Sequence, residues 1–398
     1  MRVSEKKALP IILFTLLLCS ICMSSVFAET TVTSDSQRIS GWAEKPVQFL
    51  RELKLADEKI FSNYFTNITR EEFAMLSVKL YEKAKGESVV INDSNIFSDI
   101  SDRIYKDDII KAYQLKIVNG VGGNKFNPKG EITRQEIAVM FFNTLKAIYP
   151  NWEYAITDDV KFKDNSNIAK WARNAMVYLY KNNIMNCVSE FTISPLSKAS
   201  REQALTLDFR IAFLSGILFD DYDKQFSIPD DDDGIIEDLN SDSAEDYWNL
   251  GNSYFDNGYL NKSVTAYTKS IELDPGFSKS YRERAGSYYF KKMYGEAIND
   301  ANKAIELKLD DGWNYAQRGR VYMQQGKTDE AIADASKGIT LIKEKEPDNK
   351  DVAWIYIYRA HCLITKGQIK NAVNDFIAAA QMGDKESQEI LGLLDIDY

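Results

Sequence analysis

From Ala244 onward the chain repeats itself every 34 residues. Gly251, Ala285 and Gly319 keep that step, as do Tyr254, Tyr288 and Tyr322. Ser263, Ala297 and Ala331 keep it too, and so do Ser270, Ala304 and Gly338. A fourth copy, marked by Ala360 and Ala372, follows seven extra residues, Glu346 to Val352. A fixed period of this length with small residues at set places restricts the fold severely. Each copy is a helix pair that cannot bury its apolar face alone, so copies must stack, with the small residues letting helices approach.

The pattern resembles the tetratricopeptide repeat over residues 244–383, with 384–398 as a polar-faced capping helix. That resemblance implies a solenoid whose concave face takes a protein or peptide. Helical spacing directs Trp248, Asn252 and Phe255 of the first repeat toward that face. Arg282, Tyr289 and Phe290 follow in the second, Trp313, Arg320 and Met323 in the third, and Trp354 and His361 in the fourth. Aromatics and arginines supply binding hot spots; for Tyr289 and Phe290, packing between helices is an equal reading. The Lys and Asn positions that clamp a C-terminal carboxylate in some relatives are not matched, since Trp248 occupies the first.

A second repetition lies upstream. "ITRQE" at Ile132 is echoed by "ITREE" at Ile68 and, in worn form, by "ASREQ" at Ala199. "IVNGVGGNKFNPKGEITRQEIAVM" from Ile117 aligns without a gap to "IMNCVSEFTISPLSKASREQALTL" from Ile184. Each unit reads as a helix, a turn-rich loop and a second helix. Thr69 with Glu72, Thr133 with Glu136 and Ser200 with Gln203 fit the capping box that opens a helix. The arginine between them does not follow from capping, because the positive end of the helix dipole disfavours a cation at the first turn. Arg70, Arg134 and Arg201 therefore point to an anion held at a helix N-terminus. A salt bridge between units is the alternative.

These units resemble S-layer homology motifs, three of them at about 39–86, 96–148 and 161–217. The resemblance implies a pseudo-threefold helical bundle whose grooves hold an acidic glycan attached to peptidoglycan, often through a pyruvylated sugar. Carried over, Arg70, Arg134 and Arg201, with Thr69 and Thr133 beside them, would contact the polymer. Trp42 and Trp171 would line the groove, although Trp171 also reads as core. Gly120 and Gly122 would admit backbone close to the sugar. The second unit has Ile104 where Trp171 aligns, the third has Cys187 and Ser189 in place of the two glycines, and the first lacks the glycine loop. A Cβ there is expected to remodel the third loop. The Arg134 groove ranks first for binding and the Arg201 groove last.

Residues 1–28 read as a cleaved signal peptide, with basic Arg2, Lys6 and Lys7, an apolar run and Val26–Phe27–Ala28 before the cut. The mature chain then has no membrane span. Losing these residues removes a net charge of +2 from a chain of −10, leaving −12, which argues against nucleic acid. Residues 218–243 are an acidic, extended linker; its "DDDDGII" lacks the first and last ligands of a calcium loop. Cys187 and Cys362 remain after cleavage, too few for a disulfide scaffold.

The expected fold is all-α, a pseudo-threefold bundle followed by a helical solenoid. No enzyme, cofactor or metal site is expected, since no catalytic motif occurs and His361 stands alone. The expected role is an exported adaptor on the bacterial surface, anchored to an acidic wall glycan and presenting its solenoid to a protein. The alternative is a structural wall component whose repeats self-associate.

Overall fold

The computed structural model describes residues 38–92, 96–157, 160–214, 216, 233–236, 239 and 241–398. The leader and most of the acidic linker lie outside them. The described residues form fifteen α-helices and no strand, only isolated β-bridges. They divide into two compact units, one within 29–219 together with 390–397, the other within 220–389. Among them no helix is long and apolar enough to cross a membrane.

The first unit contains α1 (Gly41–Glu52), α2 (Arg70–Lys85), α3 (Lys106–Gln114), α4 (Arg134–Ile148), α5 (Arg173–Lys181) and α6 (Arg201–Leu214). The capping boxes form at Thr69 and Thr133, and Ser200 exchanges the same two bonds with Gln203. Residues flanking each box are fully buried: Ile68 with Phe73, Ile132 with Ile137, and Ala199 with Ala204. These contacts fix where α2, α4 and α6 begin. The three long helices make the centre, with Phe73 meeting Phe141 edge-on at 4.5 Å. Helix α6 is buried continuously from Ala204 to Leu214, as expected of a helix enclosed on all sides.

The short helices are exchanged between units. Helix α3 packs on α2, α5 on α4, and α1 on α6. The first helix of every sequence unit thus rests on the second helix of the unit before it, and the last unit receives the first. The arrangement is a closed ring.

The second unit runs α7 (Ala244–Asp256), α8 (Leu260–Leu273), α9 (Ser278–Phe290), α10 (Tyr294–Leu307), α11 (Gly312–Gln324), α12 (Thr328–Lys345), α13 (Ala353–Thr365) and α14 (Ile369–Gln381). Helix α15 (Lys385–Leu393) follows. From α7 to α14 each helix packs on the next, and consecutive first helices α7, α9, α11 and α13 also touch one another, more than consecutive second helices do. The first helices therefore line the tighter, inner curve. The repeated small residues work as expected: a Cβ on Gly312 would stand 2.4 Å from the Gly338 carbonyl oxygen, so α11 and α12 meet backbone to backbone. Helix α12 ends at Lys345, and the seven extra residues that follow include a short 3-10 turn, Lys350–Val352, with Val352 fully buried.

Candidate functional site

The repeated arginine reaches across to the next unit in the ring. Arg70 donates from Nε to the Phe126 carbonyl at 3.0 Å and from Nη2 to that of Asn119 at 2.9 Å. Arg134 donates to the carbonyls of Ile193 at 2.9 Å and Asn186 at 2.7 Å, the aligned positions in the third unit. Arg201 closes the circle on the first unit, donating to the Ser62 carbonyl at 2.9 Å and pairing with Glu72. The first free N–H of each helix points the same way, from Arg70 to Gly130, from Arg134 to Ser197 and from Arg201 to Thr66, each at 2.9 Å.

The residue after each arginine also serves this ring, which the sequence reading missed. Glu71 pairs with Arg103, the Gln135 amide oxygen accepts from the Ala169 N–H at 3.0 Å, and Glu202 accepts from the Ser40 N–H and hydroxyl at 3.0 and 3.1 Å. In all three cases it holds the start of the next unit's first helix. Its repetition as Glu, Gln, Glu beside the arginine was the available signal. Asp99 and Asp164 are a further matched pair, each binding two backbone N–H groups of the loop that follows, at 2.7 to 3.1 Å.

Within the four-residue signature the hydroxyl and the last residue cap their own helix, the arginine and the residue after it join units, and the first N–H of each long helix is already taken by a carbonyl. What the grooves leave open differs between arginines. Burial lowers the pKa of Arg70, opposed by the Glu136 and Asp99 carboxylates; burial also lowers that of Arg134, only 7% exposed, with Cys187 and Asp164 opposing and the nearby Arg210 adding to the fall.

Trp42 and Trp171 stand in solvent at 51% and 59% exposure, and Ile104 at 55%, so Trp171 is not a core residue. Gly120 departs from expectation. A Cβ there would lie 2.7 Å from the Phe97 ring and 2.8 Å from the Lys125 carbonyl oxygen, so its bareness makes room for the protein's own aromatic ring. Gly122 sits at φ +101° with open space around it. The third loop keeps the closing bond, Val188 to Thr192 at 2.8 Å as for Val121 to Lys125. Of the left-handed positions at Gly122, Gly123 and Asn124, however, it retains only the last, at Phe191, so Ser189 and Glu190 take a different path, as expected where a Cβ is present.

On the solenoid, the groove candidates form a continuous row. Phe255 packs on Phe290 at 5.5 Å between centroids. The Arg320 guanidinium lies 4.4 Å from the Tyr289 ring centre, 5.2 Å from Phe290 and 5.2 Å from Trp354, which stacks near Trp313 at 6.4 Å. Met323 is partly buried in the third repeat's cluster. The Arg320 Nη2 donates to Gln317 at 2.9 Å, and no carboxylate pairs with it among the described residues. Other candidates are engaged within the scaffold. Arg282 pairs with Glu283 at 2.8 Å and Asp311 at 3.4 Å, and Asn252 accepts from the Tyr267 hydroxyl at 2.9 Å. Trp248 lies under the Lys279 ammonium at 4.9 Å, while His361 faces Phe376, and burial lowers its pKa to about 4.

A closed ring of helix pairs followed by a solenoid of 34-residue repeats defines a modular repeat protein. Residues 96–138 and 161–205 match the S-layer homology domain family, and residues 244–277 and 314–345 match tetratricopeptide repeat families. The chain thus carries S-layer homology motifs and tetratricopeptide repeats, neither of which is itself a catalytic module; the first match covers two motifs and does not include residues 39–86.

Among curated proteins, an amylopullulanase of Thermoanaerobacterium thermosulfurigenes is 27% identical over 44% of this chain and 9% of its own length. Exoglucanase XynX of Acetivibrio thermocellus is 25% identical over 42% of this chain and 15% of its own. The chain spans under a sixth of either relative. Among solved structures, the TPR2B domain of yeast Sti1 in a pHsp70 complex is 24% identical, covers 31% of this chain and 97% of that one, with a TM-score of 0.29. A MamA structure is also 24% identical, covering 37% and 82%, with a TM-score of 0.31.

Proposed function

We propose that this chain is an exported adaptor of the bacterial cell surface. Residues 39–86 act as a third, shortened S-layer homology motif, and the ring of three anchors the protein to an acidic, pyruvylated wall glycan. Residues 218–243 separate this anchor from four tetratricopeptide repeats at 244–383, ended by 384–398, which hold a protein partner on their inner face. The observation that carries the reading is the head-to-tail tie made by Arg70, Arg134 and Arg201: residues 39–86 occupy the same place in the ring as the two matched motifs. Trp42, Trp171, Gly122 and the edges of the three arginines, with Thr69 and Thr133, form the glycan-facing rims. Phe255, Arg320, Trp313 and Trp354 form the protein-facing row, with Trp248, Asn252 and Arg282 supporting its first half.

Co-sedimentation with purified bacterial walls tests this. Residues 29–220 should pellet with walls that retain their acidic polymer and stay in solution after acid extraction of it. Residues 244–398 should stay in solution in both cases. Pelleting that ignores the polymer would overturn the reading.

A further inference from the structure

The three grooves are alike in construction and unlike in charge. In the ring, the arginine of one unit faces the capping-box acid of the next. Arg70 Nη1 lies 3.8 Å from Glu136, and Arg201 pairs with Glu72. The residue of the third unit that corresponds to Glu136 and Glu72 is Gln203. Gln203 makes the same capping bonds as the two glutamates, accepting from the Ser200 N–H at 3.2 Å while its own N–H donates to the Ser200 hydroxyl at 3.3 Å. It carries no charge. Arg134 accordingly has carbonyl partners only, and no carboxylate pairs with it among the described residues.

We infer that Gln203 determines which groove takes the anion: the amide leaves Arg134 without the ion pair that Glu136 and Glu72 give to Arg70 and Arg201. A guanidinium this far buried, 7% exposed, with no carboxylate in contact and only Asp164 acting on it from further off, is held at an electrostatic cost that an incoming carboxylate relieves. Low-dielectric walls also project its field outward more strongly than solvent would allow. The ligand class is an anionic group on a polymer, a carboxylate or phosphate alike, and selectivity lies in the acid-to-amide change rather than in the arginine, which all three grooves share. This inference rests on the wall-anchoring reading.

The test uses the full chain with purified bacterial walls carrying their acidic polymer, at low and at 0.15 M salt, ~8 Å being the screening length at the latter. Gln203→Glu restores the acid used by the other two units, keeps the capping box, and should weaken wall binding about tenfold, most at low salt. Glu72→Gln, which copies the third unit into the first, should strengthen binding by freeing Arg201. Melting curves of both variants accompany the binding data. If wild-type chain does not pellet, the anchoring reading falls and this inference with it. If wild type pellets and Gln203→Glu pellets equally, this inference alone falls. Unchanged binding by a folded Glu72→Gln would likewise overturn it. Parallel walls bearing phosphate-only or carboxylate-only polymers separate the two anion sources.

Discussion

Arg359 and Asp375 stand sixteen residues apart on paired helices and share two hydrogen bonds, of 2.8 and 2.7 Å. Arg284 with Asp300 and Arg318 with Asp334 repeat this fork at the same separation. Each arginine also reaches back to the preceding repeat, to Thr268, Asn302 and Ser336 in turn, at 2.8 to 3.0 Å. Two tyrosines flank the guanidinium of Arg284 and of Arg318, Tyr315 and Tyr322 in the latter case, and Tyr356 lies against that of Arg359. The result is a ladder that sets the register between repeats.

Arg318→Ala should destabilise the solenoid by about 2–3 kcal/mol, because Asp334, largely buried, loses its counter-charge. Arg318→Lys should recover only part, since an ammonium cannot reproduce the two-pronged contact. Urea titration monitored by circular dichroism measures both.

At the centre of the ring, Asp208 is fully buried and neither carboxyl oxygen has a hydrogen-bond partner. Burial raises its pKa well above the usual range. A raised folded-state value means that stability is fully present below the unfolded value, ~3.9, and declines as pH rises toward the folded one. Asp208→Asn should therefore stabilise the first unit at pH 7 by about 1–3 kcal/mol and flatten its pH dependence. Melting temperatures between pH 4 and 8, as values to be sampled at roughly unit steps, decide this.

His361 acts in the opposite direction. Its folded value is depressed to about 4 by burial. The neutral ring is favoured by folding, so its contribution is present above ~6.5 and is lost as pH falls from there toward the folded value. His361→Phe should remove an acid-side loss of solenoid stability, read by the same melts on the repeat unit.

Arg201→Ala should unfold the ring at lower temperature than Arg134→Ala does. The first substitution leaves Glu72, which is 8% exposed, without its cation, whereas the second strands only carbonyls. A difference of about 1–2 kcal/mol is expected by calorimetry. An equal loss would mean that Glu72 is stabilised elsewhere.

The helix starts, the all-α class and the repeat period were legible because each has a local cause. Thr69 and Glu72 lie within one turn, and Gly251 to Gly319 recur at a step no other fold class requires. The ring was not legible in the same way. That α3 rests on α2 rather than on its own partner α4 depends on contacts distant in sequence, which periodicity does not encode. Trp171 illustrates the limit: its spacing fits core and groove equally, and only its 59% exposure separates them. Gly120 shows the converse, a residue whose type was noticed but whose neighbour, Phe97, could not be named from the loop alone. The Arg–Asp ladder obeyed the 34-residue step and passed unread, because the small and aromatic positions carry the period more plainly.

The exchange of short helices sets how each half of the molecule tolerates loss. A solenoid shorn of one terminal repeat forfeits a single junction and remains a shorter solenoid. The ring has no terminal member. Excising any one unit breaks a junction on each side and leaves α2, α4 or α6 without the short helix that covers it. Anchor and scaffold in one chain thus follow different arithmetic: the repeats can be counted up or down by evolution, while the ring is kept entire or not at all.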